Sequence, residues 1–380
     1  MNRVALGFAL FSTSARSHLR LGNAFAIVSS SFSHSRASFA SIATTKKRHM
    51  TTMIMSDPTL FKSVEECLVL SSQHQQETKF VDGSWHLGRP GGGRADYEAG
   101  PRIAGAAFFD IDDFSSKGPE LNPRDLPHMM PTKRLFAKVM DALNISNTDT
   151  VIIYGTEGCM TTPRAWFTMQ AMGHPTNQLF LMQGSLKKWE EKGGKIERGF
   201  QKALLENDLT LNDDEAPTNY QGTESKGVVD LEYVKQIIVD ASADAGKVGN
   251  DENDAIIIDA RGSGRFYGQA PEPRKGLRGG HMPGAYNVPF DTLLQPESSG
   301  KFRSVAEMKQ IFSNAGVDVM TEQNVICSCG SGVTACTIAA ALQACGRDPT
   351  KTFVYDGSWA EWGSLPDTPI VSNKAETTVS

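Results

Sequence analysis

The run Cys329-Gly330-Ser331-Gly332-Val333-Thr334 carries the plainest chemical content in this 380-residue chain. Val325-Ile326-Cys327 before it is apolar, and Val333 to Ala344 after it is a helical run of small residues, so the segment predicts strand, tight loop, helix. A side chain at the carboxyl end of a parallel strand stands where α/β sheets place reactive groups. Small residues behind it let the backbone wrap the sulfur and aim several N–H groups at one point, and the helix adds the positive end of its dipole. A thiol attacks as its thiolate, and a free thiol ionises only at about pH 8.5, so such a cradle suits a nucleophilic cysteine. Free cysteines also serve as small core residues. That reading fits Cys327, Cys336 and Cys345, which lie on an apolar strand or a helical run, whereas a core residue has no need of the Gly-Ser-Gly behind Cys329.

The same spacing excludes other chemistries. Cysteine-dependent phosphatases grip the phosphoryl oxygens with an Arg six residues past the Cys, and that position here is Ala335. Cys327 and Cys329 form a pair with one residue between them, but no second Cys/His pair at finger-like spacing follows, so no metal is expected. The six cysteines are expected as free thiols, because nothing here resembles a small secreted disulfide scaffold.

The elements that must position Cys329 repeat along the chain. Lys79-Phe80-Val81-Asp82 answers Ile256-Ile257-Ile258-Asp259, each an apolar strand ending on a carboxylate. Thr150-Val151-Ile152-Ile153-Tyr154-Gly155 answers Asn324-Val325-Ile326-Cys327-Ser328-Cys329, Ala171 to Pro175 answers Ala344 to Asp348, and Gln183-Gly184-Ser185 answers Asp356-Gly357-Ser358. The order is kept at a nearly constant offset, which means two copies of one domain. Buried apolar strands alternating with helical stretches predict an α/β fold in each copy, a mostly parallel β-sheet flanked by helices. The expected boundaries are a disordered leader over 1–56, a first domain over 57–204, an exposed acidic linker over 205–227, a second domain over 228–373 and a tail over 374–380. In the first copy Gly155 takes the place of Cys329, and Cys159 lies four residues further on, so that domain reads as non-catalytic.

Charge sets the partners. Residues 1–56 contain no acid and carry Arg3, Arg16, Arg20, Arg36, Lys46, Lys47 and Arg48, which leaves 31 basic against 43 acidic residues in the body. A body that acidic argues against nucleic acid. The Ser-, Ala- and Arg-rich leader suits an organelle transit peptide, mitochondrial first, with a plastid as the alternative. Met50, Met53 and Met55 permit a shorter cytosolic form. Its apolar runs are too short to span a bilayer, so no membrane partner is expected.

Taken together, the Cys329 loop, Gly280-His281-Met282-Pro283-Gly284-Ala285 and Asp356-Gly357-Ser358-Trp359 resemble the tandem rhodanese-domain sulfurtransferases over about residues 60 to 370, and within them the 3-mercaptopyruvate branch. The resemblance implies two tandem rhodanese-like domains, no cofactor, and a persulfide on Cys329 stabilised by the loop of Gly330, Ser331, Gly332, Val333 and Thr334. It implies that Arg265 and Arg274 bind the substrate, and that the sulfur passes to thioredoxin, another thiol or cyanide. It further implies that Ser331 acts with a first-domain His in an x-His-Ile-Pro-Gly-Ala context and an upstream Asp. Here Arg102 stands at that His, Ala104 at the Pro, Asp96 is the candidate Asp and His86 the substitute base, so the relay cannot be assembled as usual. Two other readings stay open: a thiosulfate sulfurtransferase, and a persulfide carrier without turnover.

Overall fold

A computed structural model describes residues 59–209, 217–243, 254–296, 298 and 300–372. The expected leader and tail, and 210–216 of the expected linker, lie outside the described residues. The first half contributes strands β1 (Phe61–Ser63), β2 (Thr78–Asp82), β3 (Arg102–Ile103), β4 (Ala107–Phe108), β5 (Thr150–Tyr154), β6 (Leu179–Gln183) and β7 (Ile196–Glu197). The second contributes β8 (Val228–Val229), β9 (Ala255–Asp259), β10 (Tyr286–Asn287), β11 (Asn324–Ser328) and β12 (Thr352–Tyr355). The first sheet runs β1-β6-β5-β2-β4 and the second β8-β12-β11-β9-β10, and every pairing in both is parallel. The antiparallel pair β3–β7 stands apart.

The repeat therefore holds strand by strand, down to register. Asp82 pairs with Tyr154 and Asp259 with Ser328, so Gly155 and Cys329 are each the first residue beyond the central strand of their sheet. The same bond follows in each: Gly83 N–H to Tyr154 C=O at 3.0 Å, Ala260 N–H to Ser328 C=O at 2.8 Å. Val151 to Ile153 and Val325 to Cys327 are fully buried, as strands covered on both faces must be.

The two domains meet helix to helix. Ala165 and Trp166 of the helix Pro163–Ala171 share one apolar core with Ala335, Ala339 and Ala340 of the helix Ala335–Ala344, where alanines permit close approach. Phe61 stacks on Phe302 at 4.4 Å, and Phe302 N–H donates to Gln183 Oε1 at 2.8 Å. Within the stretch expected as an exposed linker, Tyr220 packs on the first domain: it is 1% exposed, its N–H donates to Asp141 at 2.7 Å, and its hydroxyl meets His174 at 3.0 Å. An aromatic residue there has apolar area to bury, which outweighs the polar composition around it.

Candidate active site

Cys329 is buried, and the loop behind it is shaped from within its own domain. Ser358, held at φ +49°, accepts from the N–H groups of Cys329 and Gly332, each at 3.1 Å, and donates to Tyr355 C=O at 2.8 Å. The N–H groups of Trp359 and Ala360 bind the carbonyls of Cys329 and Gly330 at 3.0 and 2.9 Å. So stitched, the loop aims the Ser331 N–H at the sulfur, 3.4 Å away. Gly332 sits at φ +76°, and a Cβ on it would lie 2.8 Å from the Asp356 carbonyl oxygen. Both facts demand glycine. A Cβ on Gly330 would lie 3.1 Å from an Arg265 nitrogen, so that glycine lets the guanidinium approach the loop.

Arg265 is held in place by a buried network. Glu272 Oε2 takes its Nη2 at 2.6 Å and its Nε at 3.2 Å, while Glu272 Oε1 binds Arg261 at 2.9 Å. Arg261 in turn grips Asp259 at 2.6 Å and lies 4.0 Å from the Trp359 ring. Each buried charge thus faces an opposite one, as burial requires. A cavity of about 370 Å³ opens on this wall, lined by Arg265, Arg274, Cys329, Gly330, Ser331, Val333 and Thr334. The structure brings together all the site residues expected in the second domain except Gly332, which lies in the same loop but faces Asp356 and Arg164.

The opposite wall belongs to the first domain and includes Trp85, Leu87, Asp112, Pro127 and His128. His128 Nδ1 meets Asp112 Oδ1 at 2.5 Å, Trp85 Nε1–H donates to Asp112 Oδ2 at 2.8 Å, and the Trp85 ring packs edge-on against His128 at 4.9 Å. Burial pushes the Asp112 carboxyl up, but the His128 hydrogen bond and charge, Trp85 and Arg94 together hold it below the usual range. His128 adopts φ +61°, an uncommon conformation for a non-glycine residue and one that marks a constrained position.

Sequence reasoning did not single out this His–Asp pair, which lines the Cys329 cavity where the expected relay Asp does not. Asp96 does not line the Cys329 cavity. It lines a separate one with Pro101, Thr156 and Leu186, and its carboxylate is taken by Arg89, at 3.0 Å through Nη1, and by His86 at 3.0 Å. Arg102 is buried at β3, bonded to the carbonyls of Tyr97 and Gly199 and to Gln201. A guanidinium there satisfies local carbonyls, and position 102 does not line the Cys329 cavity. The available signal was a lone His between prolines, Pro127-His128-Met129-Met130-Pro131, and the carboxylates of Asp110-Ile111-Asp112.

All six cysteines are unpaired and buried. Burial raises the thiols of Cys67 and Cys336 to about 12 and also pushes up Cys159, Cys327 and Cys345. Burial thus disfavours the thiolate form at those five. Among the described residues no cluster of His, Cys, Asp or Glu is placed to hold a metal ion, and no helix is long and apolar enough to cross a membrane.

A duplicated parallel α/β domain, with a buried thiol in a tight loop at the strand end of one copy and the Ser331 N–H turned on its sulfur, defines a sulfur-transferring enzyme of the rhodanese type. The rhodanese-like domain family matches residues 242–365. Over 361 residues, 93% of this chain and 89% of the other, the sequence is 31% identical to thiosulfate/3-mercaptopyruvate sulfurtransferase 1, mitochondrial, of Arabidopsis thaliana. It is 32% identical over 319 residues to 3-mercaptopyruvate sulfurtransferase of Rattus norvegicus, covering 81% of this chain and 94% of that one. The crystal structure of the Tum1 protein from Saccharomyces cerevisiae superposes with a TM-score of 0.66 at 26% identity, over 84% of this chain and 100% of that one. The chain belongs to the thiosulfate/3-mercaptopyruvate sulfurtransferase family and is a sulfurtransferase.

Proposed function

We propose that this sulfurtransferase takes its sulfur from 3-mercaptopyruvate through Cys329 and works in the mitochondrion. The observation that carries the donor is the convergence, on one cavity of about 370 Å³, of a thiol, two arginines and a His–Asp pair. Arg265 and Arg274 hold the carboxylate and keto oxygen, since a guanidinium grips a carboxylate through parallel hydrogen bonds. Glu272 occupies Nε and Nη2 of Arg265, which fixes its plane and leaves Nη1 for the donor.

The Cys329 thiolate attacks the donor sulfur. An S–S bond forms, the C–S bond breaks, and its electron pair passes to carbon as the enolate of pyruvate. A proton delivered to that carbon through the Ser331 hydroxyl and His128 completes pyruvate, with Asp112 fixing the imidazole tautomer. The relay is therefore Ser331, His128 and Asp112, in place of Asp96. Within the loop from Gly330 to Thr334, which Ser358 holds in shape through the Gly332 N–H, the Ser331 N–H stabilises the persulfide left on Cys329. An acceptor thiol, such as that of thioredoxin, or cyanide then removes the outer sulfur and returns the thiolate.

Single-turnover release of pyruvate from 3-mercaptopyruvate, set beside sulfite release from thiosulfate, tests the donor. Faster pyruvate release is expected. A faster thiosulfate reaction reverses the assignment, and a persulfide that no acceptor discharges makes the protein a carrier. For location, the acid-free leader and the mitochondrial designation of the Arabidopsis relative support the reading. Residues 1–60 fused to a fluorescent protein are expected in mitochondria; plastid or cytosolic signal rejects it.

A further inference from the structure

We infer that Arg164, a side chain of the non-catalytic domain, is a positioning residue that sets the register between the two halves of the active site. Its kinetic consequence rests on the donor reading above; its geometric consequence does not.

Arg164 enters from the helix Pro163–Ala171 and is 1% exposed. Its Nη1 donates to Asp356 Oδ1 at 2.7 Å and to the Gly332 carbonyl at 3.3 Å, and its Nη2 donates to the His128 carbonyl. Asp356 returns the link, its Oδ2 accepting the Met130 N–H at 2.6 Å. One guanidinium and one carboxylate therefore tie the nucleophile loop at Gly332 to both sides of the turn that presents His128. Each half is otherwise held from within. Ser358, Trp359 and Ala360 shape the Cys329 loop, while Asp112 and Trp85 hold the His128 ring. Near these atoms the Arg164–Asp356 pair and its carbonyl and N–H partners join the two directly, and the Arg124–Glu361 ion pair crosses beside them.

A buried ion pair is poor value as stabiliser, because desolvation offsets most of its attraction, whereas its directional bonds specify geometry. The planar fork reaches acceptors in two directions at once, which an ammonium cannot. Loss of Arg164 should leave the anion cradle of Cys329 intact and let His128 drift from it. A step that uses only the cradle survives. A step that needs both halves, protonation of the enolate carbon, does not.

The test uses Arg164→Lys and the double variant Arg164→Gln/Asp356→Asn, the second removing both buried charges so that neither is stranded. Single-turnover pyruvate release should fall about 30-fold or more, as sub-ångström to ångström misplacement of a catalytic group does. Sulfite release from thiosulfate and alkylation of Cys329 by iodoacetamide should change by less than about threefold, because both use the cradle alone. Equal losses in all three, or no loss of pyruvate release, overturn the inference. In a His128→Cys background, a short bis-electrophile bridging position 128 to Cys329 reads the register without any donor. Arg164→Lys should cut its yield severalfold, and an unchanged yield overturns the inference. If the unmodified protein releases no pyruvate, the donor reading fails and the cross-linking result decides the role of Arg164 by itself.

Discussion

Gly155 and Cys329 occupy the same station of the same fold, yet their surroundings differ in kind. In the first domain a Cβ at Gly155 would lie 2.8 Å from Thr162 Cγ2 and 3.1 Å from Cys159 Cβ, so the copy has filled its own cradle with side chains. Cys159 itself is buried against Trp85 C=O and the Thr161 hydroxyl, each 3.6 Å from its sulfur. In the second domain Ser358 stitches the loop open around the sulfur; its counterpart Ser185 instead caps the helix Leu186–Glu191, accepting the Lys188 N–H at 3.2 Å. Asp356, which receives Arg164, answers to Gln183, which holds Phe302 across the interface. The buried strands fix the shared frame. A handful of loop contacts decide which copy can host a nucleophile and which walls the cavity.

The largest effect should fall on that station. Cys329→Ser is expected to lower sulfur transfer by at least about 10³-fold, as loss of a covalent nucleophile does. Cys159→Ser should leave the rate within about twofold, because its thiol is buried outside the cavity. Thiocyanate formation with cyanide as acceptor measures both, and comparable losses would erase the contrast between the copies.

Next come the strand-end carboxylates. Asp259→Asn weakens the bidentate grip on buried Arg261 and should cost about 3 kcal/mol in urea unfolding. Its counterpart Asp82 shows no basic partner among the described residues: burial above all raises it to about 7, partly offset by Ser84 and Tyr154. A carboxyl raised on folding contributes stability at low pH that is lost as pH climbs from about 4 through about 7. Asp82→Asn should therefore be near neutral at acid pH and should relieve that loss at pH 8, where pH-dependent unfolding curves would reveal it.

The paired glycines give a sharper and smaller contrast. Gly332 and Gly158 stand at φ +76° and +75°, but a Cβ on Gly158 meets nothing within 4 Å, whereas one on Gly332 meets Asp356. Gly332→Ala should cost about 10²-fold in activity through the displaced loop. Gly158→Ala should show only the conformational penalty of about 1 kcal/mol in stability, with activity retained.

The last contrast is in acid tolerance. His174 and Arg347 follow equivalent helices and bind backbone carbonyls beneath their sheets. Burial, outweighing the Asp149 carbonyl, lowers His174 to about 4. The unfolded chain then binds the proton first, so stability falls as pH drops from about 6.5 through about 4, by on the order of 3 kcal/mol. Arg347 stays charged throughout. His174→Gln should flatten the acid limb of the unfolding curve, while an unaltered limb would assign the loss elsewhere.

The duplicated frame, the strand ends and the Cys329 loop were legible because they are local. A buried parallel strand must be a run of apolar residues, and a loop folded round a sulfur must be small. Arg265 was legible as a candidate, but its partner Glu272 and the Asp259–Arg261 pair behind it emerged only when the chain was folded. Asp96 and Arg102 misled because motif spacing places residues along the chain, not across a cavity. His86 and Arg89 claim Asp96, and local carbonyls claim Arg102.

By itself, then, the sequence determined two α/β copies and the single station at which a thiol could be activated, since both depend on contacts within a few residues. Tertiary structure decided what faces that thiol. His128 and Asp112 lie 16 residues apart and about 200 residues before Ser331, and only the docking of one domain on the other brings them to one cavity. No local pattern encodes that meeting, because it depends on contacts between the domains, among them the packed helices and the Arg164–Asp356 pair.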